Sequence, residues 1–117
     1  MAARFVTAAA HQKNVVAHAA MVPKIVVQLR AQKIGARQKR PLEFFFATNS
    51  KAKGKALVEM LEVHGYQVVM ACDGAKVLVT GVTPPIPMSL TALSDWSADM
   101  VSLAFEFDSL FDGLALS

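Results

Sequence analysis

Cysteine is nearly absent from this chain of 117 residues; Cys72 stands alone. One cysteine cannot close a disulfide within the chain, so no disulfide framework is expected and a reducing cytoplasm is the expected setting. At the end of an apolar segment it is expected to be a small buried hydrophobe rather than a reactive thiol. Acidic residues are missing from residues 1–40, which carry Arg4, Lys13, Lys24, Arg30, Lys33, Arg37, Lys39 and Arg40. Residues 77–117 reverse this, with Asp95, Asp99, Glu106, Asp108 and Asp112 and no base. Long apolar runs are also lacking, and without about 18 such residues in a row no membrane span is expected. His11, His18 and His64 have neither cysteine nor acid at ligand spacing, so neither a metal nor another cofactor is expected. No motif of a nucleophile, a paired acid and base or a phosphate cradle is present, which removes most enzyme classes and leaves binding as the question.

What is plentiful is apolar surface. Hydrophobic residues make up 54% of the chain and charged residues 18%, more apolar and less charged than an average soluble domain. One domain of this length cannot hide all of it, so a covered surface is expected, either a contact between copies of the chain or a site for a protein partner. The basic arm on a neutral-to-acidic remainder suits RNA, an acidic protein or the chain's own acidic end, and a merely solvated arm accounts for it equally.

The chain divides at Pro41 into an arm, residues 1–40, and a domain, residues 41–117. Residues 1–20 are alanine-rich with no signal-peptide pattern, and a frayed helix or disorder is expected there, with Met21 an alternative start. Residues 23–34 read as a short helix, with Pro23 in its first turn and Gly35 closing it. Residues 36–40 read as a basic linker. Leu42 to Ala47 is an aromatic strand, and residues 51–64 an amphipathic helix capped by Asn49 or Ser50 and ended by Gly65, with Gly54 weakening its first turn. Residues 66–72 and 75–82 form a hairpin about Asp73-Gly74, with Met70 expected opposite Val77. After Pro84, Pro85 and Pro87, Ser89 caps a helix over residues 90–106 with a stripe of Leu93, Trp96, Met100 and Leu103. Leu110 to Leu116 is a last strand interrupted at Asp112-Gly113.

The order βαββαβ with right-handed crossovers predicts an α+β, ferredoxin-like sandwich: a four-stranded antiparallel sheet, its first and third strands central, with two helices on one face and the leading helix before it. The other face is then open. By parity Glu43, Phe45, Val69 and Leu78 point to it, whereas Phe44 and Phe46 point toward the helices. Phe45, Val69 and Leu78, with Asp112 on the last strand, are the candidate interaction surface. Pro84 and Pro87 have the spacing of a ligand for an aromatic groove, but prolines between elements are ordinary loop punctuation. Trp96 fits an interface anchor or, since the stripe continues on both sides of it, the core. Asp108 and Asp112 lack a third ligand or a base. An open sheet bearing aromatics is also how one class of RNA-binding module stacks bases, but only Phe45 stands there and the signature of that module is missing.

Several segments together resemble one family. Leu42-Glu43-Phe44-Phe45-Phe46-Ala47, Ala56-Leu57-Val58-Glu59-Met60-Leu61 followed by Gly65-Tyr66-Gln67-Val68, Val79-Thr80-Gly81-Val82-Thr83-Pro84-Pro85, and Leu103-Ala104 leading to Phe111-Asp112-Gly113-Leu114 are similar to the regulator of ribonuclease E activity B family, protein inhibitors of that endonuclease. The resemblance spans roughly residues 42–117 and implies a ferredoxin-like fold, no catalysis, a bacterial cytoplasmic setting and regulation of RNA turnover by contact with a protein partner, a ribonuclease. The chain departs from the family where Leu114 replaces the usual tryptophan, and in being basic where well-known members are strongly acidic. The competing expectation is an RNA-binding module that uses the open face and the basic arm.

Overall fold

Alternation along Leu42-Glu43-Phe44-Phe45-Phe46 sets the architecture, because a strand sends successive side chains to opposite faces. In the computed structural model, which describes residues 4–116, the chain opens with helix α1 (Ala8–Ala31) and the short strand β1 (Lys39–Arg40). Then follow β2 (Leu42–Thr48), α2 (Lys51–Val63), β3 (Gln67–Asp73), β4 (Lys76–Val82), β5 (Ile86–Pro87), α3 (Leu90–Glu106) and β6 (Leu110–Leu116). The fold is α+β. One antiparallel sheet has the strand order β3-β4-β2-β6, and β1 pairs with β5 in a second, two-stranded sheet.

Leu42, Phe44 and Phe46 are at most 1% exposed. They lie in one core with Leu57 and Leu61 of α2, Leu93 and Met100 of α3, and Phe111 of β6. Trp96 belongs to this core too; it stands edge-on to Phe44 and Phe111 and donates its indole N–H to the Tyr66 hydroxyl at 3.1 Å. A buried indole needs such a partner, since an unmet donor would cost about 1–3 kcal/mol. Ser89 caps α3 as its sequence predicts, its hydroxyl accepting from the Ala92 N–H at 3.1 Å. Ser50 begins α2 without a side-chain cap, and Asn49, the other candidate, accepts from the Lys53 ammonium at 2.9 Å.

The leading helix corrects the sequence reading. It starts at Ala8, capped by the Thr7 hydroxyl, and carries Pro23 in its interior rather than in its first turn. Proline there removes one helical N–H and crowds the carbonyl four residues earlier. His18, Val22 and Leu29 are buried on both sides of Pro23, and α1 packs against α3 and β6. Tertiary contact thus holds together a helix that local propensity would break. It ends at Gln32 with Lys33 in the left-handed region at φ 64, not at Gly35. The Ile34 N–H then returns to the Leu29 carbonyl at 2.9 Å. The basic linker is not all loop either, since Lys39 and Arg40 pair with Pro87 and Ile86.

The hairpin register is shifted by two. Asp73 pairs with Lys76, so Gly74-Ala75 is the loop and Met70 faces Val79, not Val77. Only Gly74 takes a positive φ, 62°. That matches the turn that needs glycine at its first central position alone, whereas a loop of Asp73-Gly74 would have forced Asp73 there as well. A shift of two preserves parity, so every side chain keeps its predicted face. Cys72 corrects its expectation as well; it is exposed.

Two glycines mark close approaches. A Cβ on Gly54 would lie 2.8 Å from Met70 Sδ and 2.9 Å from Val77 Cγ1, so α2 sits down on the hairpin there. A Cβ on Gly81 would lie 2.5 Å from both Phe44 Cζ and the Gln67 carbonyl oxygen. Glycine inside a strand is usually a weakness; here it makes room for the Phe44 ring. Gly81→Ala should therefore destabilise by about 1–3 kcal/mol, the scale of overpacking. Gly35→Ala, where nothing lies within 4 Å, should be nearly neutral. Chemical denaturation of the two variants compares them.

Candidate interaction surface

The face of the sheet away from the core carries one in-register band. Glu43 pairs with Val82, which pairs with Gln67; Phe45 pairs with Thr80, which pairs with Val69; Leu78 lies between Ala47 and Ala71. Phe45, Val69 and Leu78 therefore share one face, and Val69 is 66% exposed. Glu43, Phe45, Val69, Thr80 and Val82 line a shallow depression of ≈ 300 Å³. No helix residue takes part in it, because α1 lies beside α3 and β6 rather than across this face. By parity Lys76 is the one base on the band, and Phe45 its one aromatic.

Asp112 stands apart from these three. It lies exposed on β6, where the pairing with β2 slips between Phe45 and Phe46 and leaves it without a partner across the ladder. Such a bulge turns a side chain away from the regular alternation. Asp112 lines a recess with His18, Met21 and Gln28 of α1, and its carboxyl feels the charge of Lys76 on the open-face band as well as that of His18. His18 is already committed, since the Phe111 carbonyl can only accept and lies 2.8 Å from Nε2, which makes that nitrogen the protonated one. Asn14 donates to the same carbonyl at 3.3 Å.

Sequence reasoning missed the role of Asp108. It follows the last turn of α3 with φ 50, a left-handed position that aspartate tolerates better than most residues. A carboxylate there meets the negative end of the helix, which is unfavourable alone. It is offset by donors. One oxygen accepts from the Val6 N–H at 2.8 Å; the other accepts from the Phe5 N–H at 2.9 Å and the Lys53 ammonium at 2.7 Å. Arg4 adds an ion pair at 3.5 Å, donates to the Phe105 carbonyl and lies over the Phe105 ring at 4.3 Å. The start of the described chain is thereby clasped to the end of α3. The only advance signal was charge: a lone Arg4 in an acid-free start, and an acid run near the C-terminus.

Among the described residues, no three His, Cys, Asp or Glu side chains stand close enough to hold a metal ion, and no helix is long and apolar enough to cross a membrane. In a comparison with family models, residues 20–114 match the family described as regulator of ribonuclease activity B. The chain belongs to that family. No curated protein matches the chain. The match covers β1 to β5, β6 as far as Leu114, α2, α3 and the second half of α1. The clasp formed by Arg4, Phe5 and Val6 lies outside the family match and binds to Asp108 inside it.

Burial works to raise the Asp108 pKa, but the hydrogen bonds from Lys53, Val6 and Phe5 and the charge of Lys53 outweigh it, and the group falls from 3.8 to about 2. A folded-state pKa below the unfolded one stabilises the fold above the unfolded value, and the contribution is lost as pH falls through the folded value. Asp108→Asn should thus melt at a lower temperature than the parent at pH 7. The gap should narrow between about pH 4 and pH 2 as the parent's own carboxylate is protonated. Melts of both proteins at pH 7, 4 and 2 check this.

Proposed function

We propose that this member of the regulator of ribonuclease activity B family is a non-catalytic binding protein that acts on a ribonuclease by direct contact, through the open sheet face about Phe45, Val69 and Leu78. The observation that carries the reading is that this face is uncovered and apolar while being nearly free of bases. An apolar patch of this kind serves protein contact. A nucleic acid needs cations along its phosphates and aromatics for its bases; the band offers Lys76 and Phe45 beside the acid Glu43. The exposed bases Lys13, Lys24, Lys33 and Arg37 lie on or just after α1, outside this band. The ferredoxin-like reading of the fold is part of the same proposal and is supported by the strand order β3-β4-β2-β6 with β2 and β4 central.

In mechanism, such a protein masks a surface. The hydrophobic gain from covering Val69 and Leu78 supplies affinity, at roughly 25 cal/mol per Å² of apolar area removed from water. Glu43 and Thr80 at the margin of the apolar pair give polar contacts that orient the partner. Catalysis by this chain is not needed for that role.

Val69→Ser with Leu78→Ser tests it. Both residues lie on the open face, so the double variant should melt within a few degrees of the parent. It should lose most of the inhibition measured against ribonuclease E, the endonuclease that the family resemblance names. Full inhibition by a folded double variant would overturn the assignment of the face. Inhibition that instead disappears when the exposed bases of α1 are replaced, and that follows RNA affinity across salt, would favour RNA binding.

A further inference from the structure

The two edges of the main sheet are treated differently. At the β6 edge the strand is bulged at Asp112, and α1 covers part of it, Asn14 and His18 both donating to the Phe111 carbonyl. Those are recognised ways of making an edge unfit for pairing. The β3 edge has none of them. Gln67-Val68-Val69-Met70-Ala71-Cys72-Asp73 contains no proline, no lysine or arginine and no bulge, and all of it is exposed except the half-buried Val68. An uninterrupted seven-residue edge of this kind is a template for another strand.

Its unpaired groups are identifiable. The Thr83 N–H donates to the Leu42 carbonyl at 2.9 Å, in line with the β2–β4 register. Odd-numbered residues of β4 therefore bond toward β2, and even-numbered ones toward β3, because bonded pairs alternate along an antiparallel ladder. Leu78 pairs with Ala71 and Thr80 with Val69, so the odd residues of β3 bond inward. Val68, Met70 and Cys72 are left with N–H and C=O directed outward.

The segment is also self-complementary. Turned about a two-fold axis at Met70, it sets Met70 against Met70, Val68 against Cys72, Val69 against Ala71 and Gln67 against Asp73. Every outward donor and acceptor is then met, the apolar centre is matched with itself, and the only charge, Asp73, faces an amide rather than a like charge. We propose that β3 pairs antiparallel with β3 of a second copy of this chain about Met70, making one continuous eight-stranded sheet. The open faces of the two copies then lie side by side. The pairing stands on the edge alone and does not rest on the ribonuclease reading.

Sedimentation equilibrium of the full chain should show a dimer at about ten micromolar and above, the range of modest association. Cys72→Pro removes an outward N–H and leaves the β3–β4 ladder intact, and should weaken the dimer by about tenfold or more. Cys72→Ala, which keeps that N–H, should dimerise like the parent. A nitroxide on the single native cysteine gives an independent readout. The two Cys72 backbones should stand about 14 Å apart, four strand residues, so pulsed dipolar spectra should peak near about 15–25 Å once the label arms are added. A chain that remains monomeric at about one hundred micromolar overturns the proposal. So does a dimer that Cys72→Pro leaves unchanged, or a label separation beyond about 35 Å, which antiparallel pairing of these strands cannot reach.

Discussion

Phe44 lies against the bare backbone of Gly81, edge-on to Phe46 and Trp96 and tilted against Tyr66. That contact fixes which face of the sheet the helices cover. With Phe44 and Phe46 committed to the core, alternation leaves Glu43 and Phe45 on the other side, and the antiparallel ladders carry the assignment outward to Val69, Leu78 and Thr80. A central strand buried on both faces would have needed a third layer. The three helices of the described residues are all grouped on the Phe44 side and leave the other face uncovered.

The leading helix shows how tertiary contact overrides a local rule. Proline in a helix interior costs about 3 kcal/mol or more. Val22 and Leu29 each bury nearly all of their side chains on the α3 side, and full burial of such a residue contributes about 1.5–3 kcal/mol. The two together are enough to offset the proline, and the clasp at Asp108 anchors the far end of the same segment. The basic start and the acidic end of the chain thus meet at one point, Arg4 at Asp108, where Lys53 joins them; Lys13 and Lys24 of α1 face water, and Arg30 donates to the Ile34 and Met88 carbonyls.

Much of this was legible in the residues. The strand at Leu42, the helix from Leu90 to Glu106 with its Ser89 cap, the core placement of Trp96 and the two faces of the sheet follow from period and parity, which survive local errors. The hairpin slipped by two without moving any side chain to the wrong face, because parity is blind to even shifts. What was hidden depends on distant partners: Pro23 reads as a boundary until α3 is packed against it, Cys72 reads as buried until β3 is known to be an edge, and Asp108 reads as an idle acid until the chain start is seen to reach it. For Asp112 parity decides nothing, because a bulge breaks the alternation there, and the slip between Phe45 and Phe46 has no mark in sequence beyond Gly113.

The central claim is that the open face, and not the basic side of α1, meets the ribonuclease. Backbone amide mapping by nuclear magnetic resonance, with the labelled chain titrated against a catalytically inactivated endoribonuclease, tests it most directly. The account predicts perturbation concentrated at Glu43, Phe45, Val69, Leu78 and Thr80, with the amides of Lys13, Lys24 and Lys33 unmoved. Perturbation confined to those lysines and their neighbours would contradict it.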